Sequence, residues 1–148
     1  MGKSVLKKTV IDFHVHFSMY EKPLESYSAW LSQGYSSAEI YEDVRRKYSD
    51  AHNFLELMDE NGVDFSVVLA EVAPLTSGIA TNEMIRKFCA GTSRLIPFCT
   101  FNPYTDSRMG AELEELVLKQ CFKGLKLYPT YNYFYSNDTI MYRLYSVA

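Results

Sequence analysis

Two hydrophobic periodicities alternate along the chain. Segments rich in β-branched and aromatic residues, which predict strands, occur four times: 9–17, 63–72, 94–102 and 122–128. Between them, apolar residues recur every three or four positions, which is the spacing of an amphipathic helix. The second strand segment is apolar at almost every position, as is typical of a parallel sheet covered by helices. The order predicts four strand–helix units in tandem and therefore an α/β fold with a parallel sheet.

Capping signals give the helix boundaries. Ser36, with Glu39 three positions later, forms a capping box and predicts a helix that continues to about Lys47. A second helix is predicted to begin near Ala51 and to end before Gly62, because glycine favours the position after the last helical residue. Further helices are predicted over 81–90, from 106 onward and from 137 or 138 onward, whereas 18–35 is predicted to be irregular.

Two architectures fit this order of elements. One is an open doubly wound sheet, which is complete at this length. The other is the first half of an eight-stranded (β/α) barrel, which needs about 250 residues in full. No glycine-rich nucleotide-binding motif follows any strand segment. The last helical pattern reaches Ala148 without a glycine cap or a polar tail. This ending suggests a truncated domain, and at this point both architectures remain open.

Composition narrows the class of protein. The chain has 148 residues, of which 47% are hydrophobic and 22% charged, and these values fit one globular domain. A formal net charge of −3 without a basic run argues against a nucleic-acid partner. No apolar run approaches the roughly 18 residues of a membrane span, and the first residues lack the apolar region of a signal peptide. Three cysteines without a CxxC spacing predict reduced thiols and a cytoplasmic location.

The first strand segment contains the strongest candidate for chemistry. Asp12, His14 and His16 occupy alternate positions. Because side chains alternate across a strand, these three are predicted to share one face, and the apolar residues the other: Ile11, Phe13, Val15 and Phe17. We expect the apolar face to meet the helices and the polar face to point toward the barrel axis.

Two imidazoles on one face of a strand can converge on a single divalent ion, which zinc sites hold at about 2.0–2.1 Å from nitrogen. Asp12 then either accepts a hydrogen bond from one of the histidine ligands or is simply the last residue of the polar face. The alternative is a pair of histidines on an exposed edge strand without a metal. The position of the motif on the first strand of a β/α array favours the metal site, because such folds keep their chemistry at the strand ends.

The pattern Asp-x-His-x-His on a first strand resembles the amidohydrolase superfamily of metal-dependent TIM-barrel enzymes. The segments LMDENGVD at 57–64, FNP at 101–103 and GLKLYP at 124–129 are similar to its amidohydrolase-2 branch. The resemblance covers about 9–148 and implies that 1–148 is a single domain, the truncated N-terminal half of a TIM barrel. It implies a divalent metal ion, usually zinc, held by His14 and His16. It also implies two further ligands that this chain does not reach, a histidine after the fifth strand and an aspartate after the eighth.

The same resemblance implies an enzyme that acts on a small molecule, by hydrolysis of C–N or C–O bonds, by non-oxidative decarboxylation of a small organic acid, or by hydration. Lys126 alternates with Leu125 and Leu127 and is predicted to face inward. In binuclear relatives a carboxylated lysine on this strand bridges two metals, which makes Lys126 the candidate catalytic residue. The alternatives are a contact to a substrate carboxylate and a purely structural polar layer.

Three more residues are candidates for substrate binding. Glu71 and Asn102 end the second and third strand segments, where barrel enzymes place active-site residues, and Tyr128 ends the fourth. An aromatic cluster follows, from Tyr128 to Tyr135, which is either a pocket wall or packing against 18–35.

The competing hypothesis is a non-catalytic half-barrel that needs a partner or the other half of a barrel. Its two open parallel edges favour self-association, which predicts a homo-oligomer. A third hypothesis, a complete open α/β binding domain, offers no good place for an inward polar row of Asp12, His14 and His16.

Overall fold

The computed structural model describes residues 8–148, and the first seven residues, from which the absence of a leader was expected, lie outside this range. Six strands follow the chain in the order β1 (Ile11–His16), β2 (Phe65–Leu69), β3 (Glu71–Ala73), β4 (Gly78–Ala80), β5 (Leu95–Cys99) and β6 (Gly124–Leu125). The helices are α1 (Glu25–Ser32), α2 (Ala38–Tyr48), α3 (Ala51–Glu60), α4 (Asn82–Cys89), α5 (Met109–Lys119) and α6 (Tyr142–Tyr145), and a 3₁₀ turn over Thr139–Met141 leads into α6. No helix over this range is long and apolar enough to cross a bilayer.

The central sheet has four parallel strands in the order β1-β2-β5-β6. The strands therefore lie side by side in the order in which the chain makes them. A doubly wound sheet reverses this order at its switch point, whereas a barrel does not. The structure thus has the strand order of a barrel, and within 8–148 the barrel is not closed, because β1 and β6 form its two outer edges.

Helices pack against one face of this sheet and form the core there. The core joins Val68, Leu95 and Cys99 of the sheet to side chains of four helices: Met58, Ile85, Phe88, Leu113 and Leu144. Burial of each large aliphatic or aromatic side chain contributes about 1.5–3 kcal/mol. The predicted helices over 51–60 and 81–90 are confirmed within a residue, with Asp50 and Thr81 as N-caps. The apolar stripes predicted for α3 and α4 therefore face the sheet, whereas Val117 of the stripe predicted on α5 is exposed.

Strand β1 contains an irregularity that the sequence does not show. Asp12 pairs with Ser66 and Val15 pairs with Val68, so that Phe13 and His14 together lie opposite the single residue Val67. Two residues opposite one constitute a β-bulge, which shifts the alternation of side chains by one position. The prediction of one regular face for the whole strand is therefore wrong.

The bulge exchanges the faces of several residues. Asp12 lies on the helix side, in register with Ser66, instead of sharing a face with the histidines. Phe13 was expected to meet the helices, but it is 65% exposed and contacts Phe98 edge-to-face at 5.6 Å on the opposite side of the sheet. Phe17, beyond the bulge, packs against Phe88 in the core as predicted.

Two elements were not predicted. Helix α1 lies in the segment expected to be irregular, and it has no buried residue and no side-chain N-cap, so no periodic or capping signal marks it. The β3–β4 hairpin is antiparallel and only three residues deep on each strand. Several predicted boundaries also shift. Helix α5 begins at Met109 instead of near 106, and α6 begins at Tyr142, after the 3₁₀ turn, instead of at 137 or 138. Ser37 instead of Ser36 caps α2, and the fourth parallel strand is only two residues long.

Candidate metal centre

His14 and His16 bring their ring nitrogens together at the end of β1. The two Nε2 atoms are 3.0 Å apart, and the ring centroids are separated by 5.0 Å. Two nitrogens at about 2.05 Å from a tetrahedral ion would lie roughly 3.3 Å from each other. The observed separation is close to this value, so the pair fits two ligands of one ion.

A buried carboxylate lies behind His16. Glu71 Oε2 is 2.9 Å from His16 Nδ1 and accepts a second hydrogen bond from the Tyr20 hydroxyl at 3.0 Å. Its other oxygen, Oε1, accepts a hydrogen bond from the Ser77 hydroxyl. Glu71 is 0% exposed. Because a carboxylate can only accept, His16 carries its hydrogen on Nδ1, and this tautomer leaves the Nε2 lone pair directed at His14.

The electrostatics favour the protonation states that a metal site needs. Burial would raise the pKa of Glu71, but the hydrogen bonds from His16 and Ser77 outweigh it and hold that pKa below its ordinary value. Burial, together with the charges of Lys126 and His16, lowers the pKa of His14. A neutral imidazole is the form that binds a metal, so His14 is held in its ligating form around neutral pH.

Two segments bring the partners of Glu71 into place. The β3–β4 hairpin returns the chain so that Ser77 lies six residues after Glu71 and beside it. Residues 20–24 lie on this hairpin, with two backbone hydrogen bonds between Glu21 and Ile79 at 2.7 and 3.0 Å. A Cβ at Gly78 would be only 3.1 Å from the Tyr20 side chain. Glycine at this position therefore permits the close approach of Tyr20.

Lys126 and Tyr128 lie on the same side as the histidines. The Lys126 ammonium is 5.1 Å from the centre of the Tyr128 ring, and that ring is 6.2 Å from the His16 ring. Leu125 and Leu127, the neighbours of Lys126, pack against the core as the predicted alternation requires. The Tyr128 hydroxyl is buried and has no hydrogen-bond partner within 8–148. Burial raises the pKa of this hydroxyl, so it is a neutral donor.

Asn102 and Asp12 make local contacts. The Asn102 side chain accepts a hydrogen bond from the Tyr104 backbone at 3.0 Å and donates one to the Val72 carbonyl at 3.4 Å. It thus ties the loop after β5 to the hairpin. The Asp12 carboxylate accepts from the backbone N–H of His14 at 3.1 Å. The structure therefore brings His14, His16, Glu71, Lys126 and Tyr128 together, and it places Asn102 in the adjoining loop.

Tyr20 and Ser77 are the two site residues that the sequence did not reveal. Both lie in segments without periodicity, and no motif marks either one. Over residues 8–148, no cluster of three or more histidine, cysteine, aspartate or glutamate side chains is arranged to hold a metal. The histidine pair offers two nitrogens, while Glu71 is turned toward the far nitrogen of His16. A catalytic zinc needs a third protein ligand and an open position.

Comparison with known proteins supports the fold. No protein-family model and no curated protein matches the chain. A solved structure does match: 5-carboxyvanillate decarboxylase LigW2 of Novosphingobium aromaticivorans, with bound manganese and 3-methoxy-4-hydroxy-5-nitrobenzoic acid. The TM-score is 0.69 over 94% of this chain and 47% of that chain. The likeness is one of fold, because only 13% of residues are identical. The chain spans about half the length of the decarboxylase that it matches.

Proposed function

We propose that this chain is part of a metal-dependent enzyme of the amidohydrolase type, in which His14 and His16 bind a divalent ion. The observation that carries the proposal is the approach of the two Nε2 atoms to 3.0 Å, with Glu71 at the opposite nitrogen of His16. The similar decarboxylase contains manganese, and the sequence resemblance favours zinc, so both ions belong in the test. Both are divalent ions that accept imidazole ligands.

The neighbouring residues suit a small organic acid as substrate. A bound divalent ion supplies Lewis-acid polarisation of an oxygen or a water of lowered pKa. The Lys126 ammonium faces the same space and would neutralise a substrate carboxylate. The unpartnered Tyr128 hydroxyl would donate to the substrate, while Asn102 lies in the adjoining loop after β5 and Glu71 lies behind His16. Non-oxidative decarboxylation is the first reaction to test, since the structurally similar protein is a decarboxylase. Hydrolysis of a C–N or C–O bond is the second.

One observation favours a second candidate function. The described part of the chain supplies two nitrogen ligands and no cluster of three metal-binding side chains. A half-barrel with this site would bind metal weakly and would need a complementary half to supply the remaining ligands. Under this candidate the chain binds metal but does not turn over substrate by itself.

Metal titration of the full chain tests the ligand assignment. We expect wild type to bind one zinc or manganese ion per chain in isothermal titration calorimetry. His14→Ala and His16→Ala should each weaken binding by at least the roughly 10–100-fold that loss of an orienting partner alone can cause. His52→Ala is the matched control, because His52 is exposed on α3 and lies 3.4 Å from Glu56.

Further results test the ligand assignment and distinguish the enzyme from the non-catalytic half-barrel. Wild-type affinity and stoichiometry in either His14→Ala or His16→Ala would contradict the ligand assignment. Carbon dioxide release from small aromatic and aliphatic acids by the metal-loaded chain would favour the enzyme over the non-catalytic half-barrel. Metal binding without turnover of acids, amides or esters would favour the half-barrel.

A further inference from the structure

We propose that Glu71 is a positioning residue that fixes the tautomer and orientation of His16, and that Tyr20 and Ser77 hold Glu71 in place for this task. The inference deepens the proposed function, on which its metal-binding part rests. The sequence pointed to Glu71 as a substrate contact, whereas the contacts in the structure give it a different partner.

Both oxygens of the Glu71 carboxylate are occupied. Oε2 accepts hydrogen bonds from His16 Nδ1 at 2.9 Å and from the Tyr20 hydroxyl at 3.0 Å. Oε1 accepts a hydrogen bond from the Ser77 hydroxyl. Because Glu71 is fully buried, no water competes for these lone pairs. The carboxylate therefore has one fixed orientation, and it presents an acceptor to Nδ1 of His16.

This acceptor determines which nitrogen of His16 is available to a metal. A neutral imidazole carries one hydrogen, on either nitrogen. When Nδ1 donates to Glu71, the lone pair is on Nε2, which is the atom that faces His14. If the hydrogen moved to Nε2, that nitrogen could not bind an ion. Metal-binding histidines commonly give their other N–H to a carboxylate for this reason.

Stability alone does not explain the arrangement. Burying a carboxylate is costly unless every lone pair is satisfied, and an apolar side chain of the same size would avoid that cost. Here three separate parts of the chain supply donors, namely β1, the segment 20–24 and the β3–β4 hairpin. A buried acceptor with three donors directed at it is well suited to orienting a ligand.

The test compares His16 in the metal-free full chain of wild type and Glu71→Gln. Long-range ¹H–¹⁵N spectra of the imidazoles report which ring nitrogen is protonated, without any metal or substrate. We expect a single Nδ1–H tautomer for His16 in wild type. In Glu71→Gln the amide has only one accepting atom for three donors, so we expect a mixture of tautomers and zinc affinity weakened about 10–100-fold.

Two further variants keep the test decisive. Glu56→Gln makes the same change beside His52, which is exposed and is not a proposed ligand, and it should alter neither the His16 spectrum nor zinc affinity. Tyr20→Phe removes one donor to Glu71 and preserves the ring, so it serves if Glu71→Gln does not fold. We expect Tyr20→Phe to change the His16 spectrum and zinc affinity in the same direction by a smaller amount.

The outcomes separate this inference from the proposed function. An unchanged Nδ1–H tautomer and unchanged zinc affinity in folded Glu71→Gln would overturn the positioning role. If wild type binds no zinc but the tautomer of His16 still changes in Glu71→Gln, the positioning role stands and the proposed metal site fails. An unchanged His16 spectrum in Tyr20→Phe, with Glu71→Gln unfolded, would also overturn the inference.

Discussion

The Tyr128 hydroxyl is a buried donor without a partner, and such a group destabilises the fold that contains it. Tyr128 is 7% exposed, and its hydroxyl makes no hydrogen bond within 8–148. We expect Tyr128→Phe to raise the free energy of unfolding by about 1 kcal/mol, because an unsatisfied buried polar group costs about 1–3 kcal/mol. Urea denaturation measures this change.

Tyr145 offers the matched control for that prediction. Its hydroxyl donates to the Ser136 carbonyl at 2.8 Å, so Tyr145→Phe should lower the free energy of unfolding by about 1 kcal/mol. A clear loss of stability in Tyr128→Phe would show that its hydroxyl has a partner in the folded protein. If Tyr128 binds substrate as proposed, the same variant should raise KM while it stabilises the fold.

Part of the candidate site could be predicted from the spacing of residues in one strand, whereas the rest depends on contacts between residues far apart in the sequence. The pairing of His14 with His16 follows from their spacing, which is a local property of one strand. The contact of His16 with Glu71 joins residues 55 positions apart, and the sequence showed only that Glu71 ends a strand. The position of Asp12 could not be predicted, because a bulge depends on the register with β2 and not on the residues of β1 alone.

At the scale of single elements, the start of α2 provides a clear test. The sequence offers two adjacent serines, and the capping-box spacing favoured Ser36, but the structure shows the Ser37 hydroxyl accepting from Ile40 N at 3.2 Å. We expect Ser37→Ala to lower the free energy of unfolding by about 1 kcal/mol. Ser36→Ala should change it by much less. If Ser36→Ala lowers the free energy of unfolding more than Ser37→Ala does, in thermal or urea denaturation, Ser36 is the N-cap instead.

Strand β6 depends on a close approach at Gly124. A Cβ there would overlap the Phe98 ring, which also contacts Phe13. We therefore expect Gly124→Ala to lower the free energy of unfolding by about 1–3 kcal/mol, as overpacking does. Gly34→Ala is the control, because a Cβ at that position makes only an ordinary 3.6 Å contact. Equal effects of the two substitutions on the urea midpoint would contradict the close approach.

The elements that the sequence predicted are those with strong internal patterns. Helices α3 and α4 bury regular stripes and have side-chain caps, and both were predicted within a residue. Helix α1 buries nothing and lacks a side-chain cap, so its sequence carries no comparable signal. The β3–β4 hairpin is fixed by its contacts with Tyr20 and Glu21, which lie 50 or more positions away in the chain.

At the scale of the whole molecule, the prediction of an α/β fold with a four-stranded parallel sheet is confirmed. The apolar second strand and the alternating helices were sufficient for this, because a parallel sheet covered by helices needs both. The choice between an open doubly wound sheet and half of a barrel required the order of the strands in the sheet, which only the structure gives. That order depends on which strands pair, and apolar patterns do not specify pairing.

The open side of the sheet leads to the last prediction. Over 8–148, β1 and β6 each have an unpaired edge, and Val10, Ile11 and Phe13 are exposed large apolar residues at the β1 edge. Unpaired edges beside apolar surface favour association with another chain. We therefore expect the 148-residue chain to exceed its monomer mass of 17.1 kDa in light scattering.

Phe13→Lys tests whether β1 is the contact. Loss of a central aromatic from an interface typically costs about 2 kcal/mol or more, so self-association should weaken at least tenfold. Leu75→Lys introduces the same charge at an equally exposed apolar residue away from β1, and it should leave the association unchanged. A monomeric wild type, or equal effects of the two substitutions, would exclude the β1 edge as the contact. A selective effect of Phe13→Lys would identify this edge as the surface against which further strands, from a second copy or from a longer chain, extend the sheet.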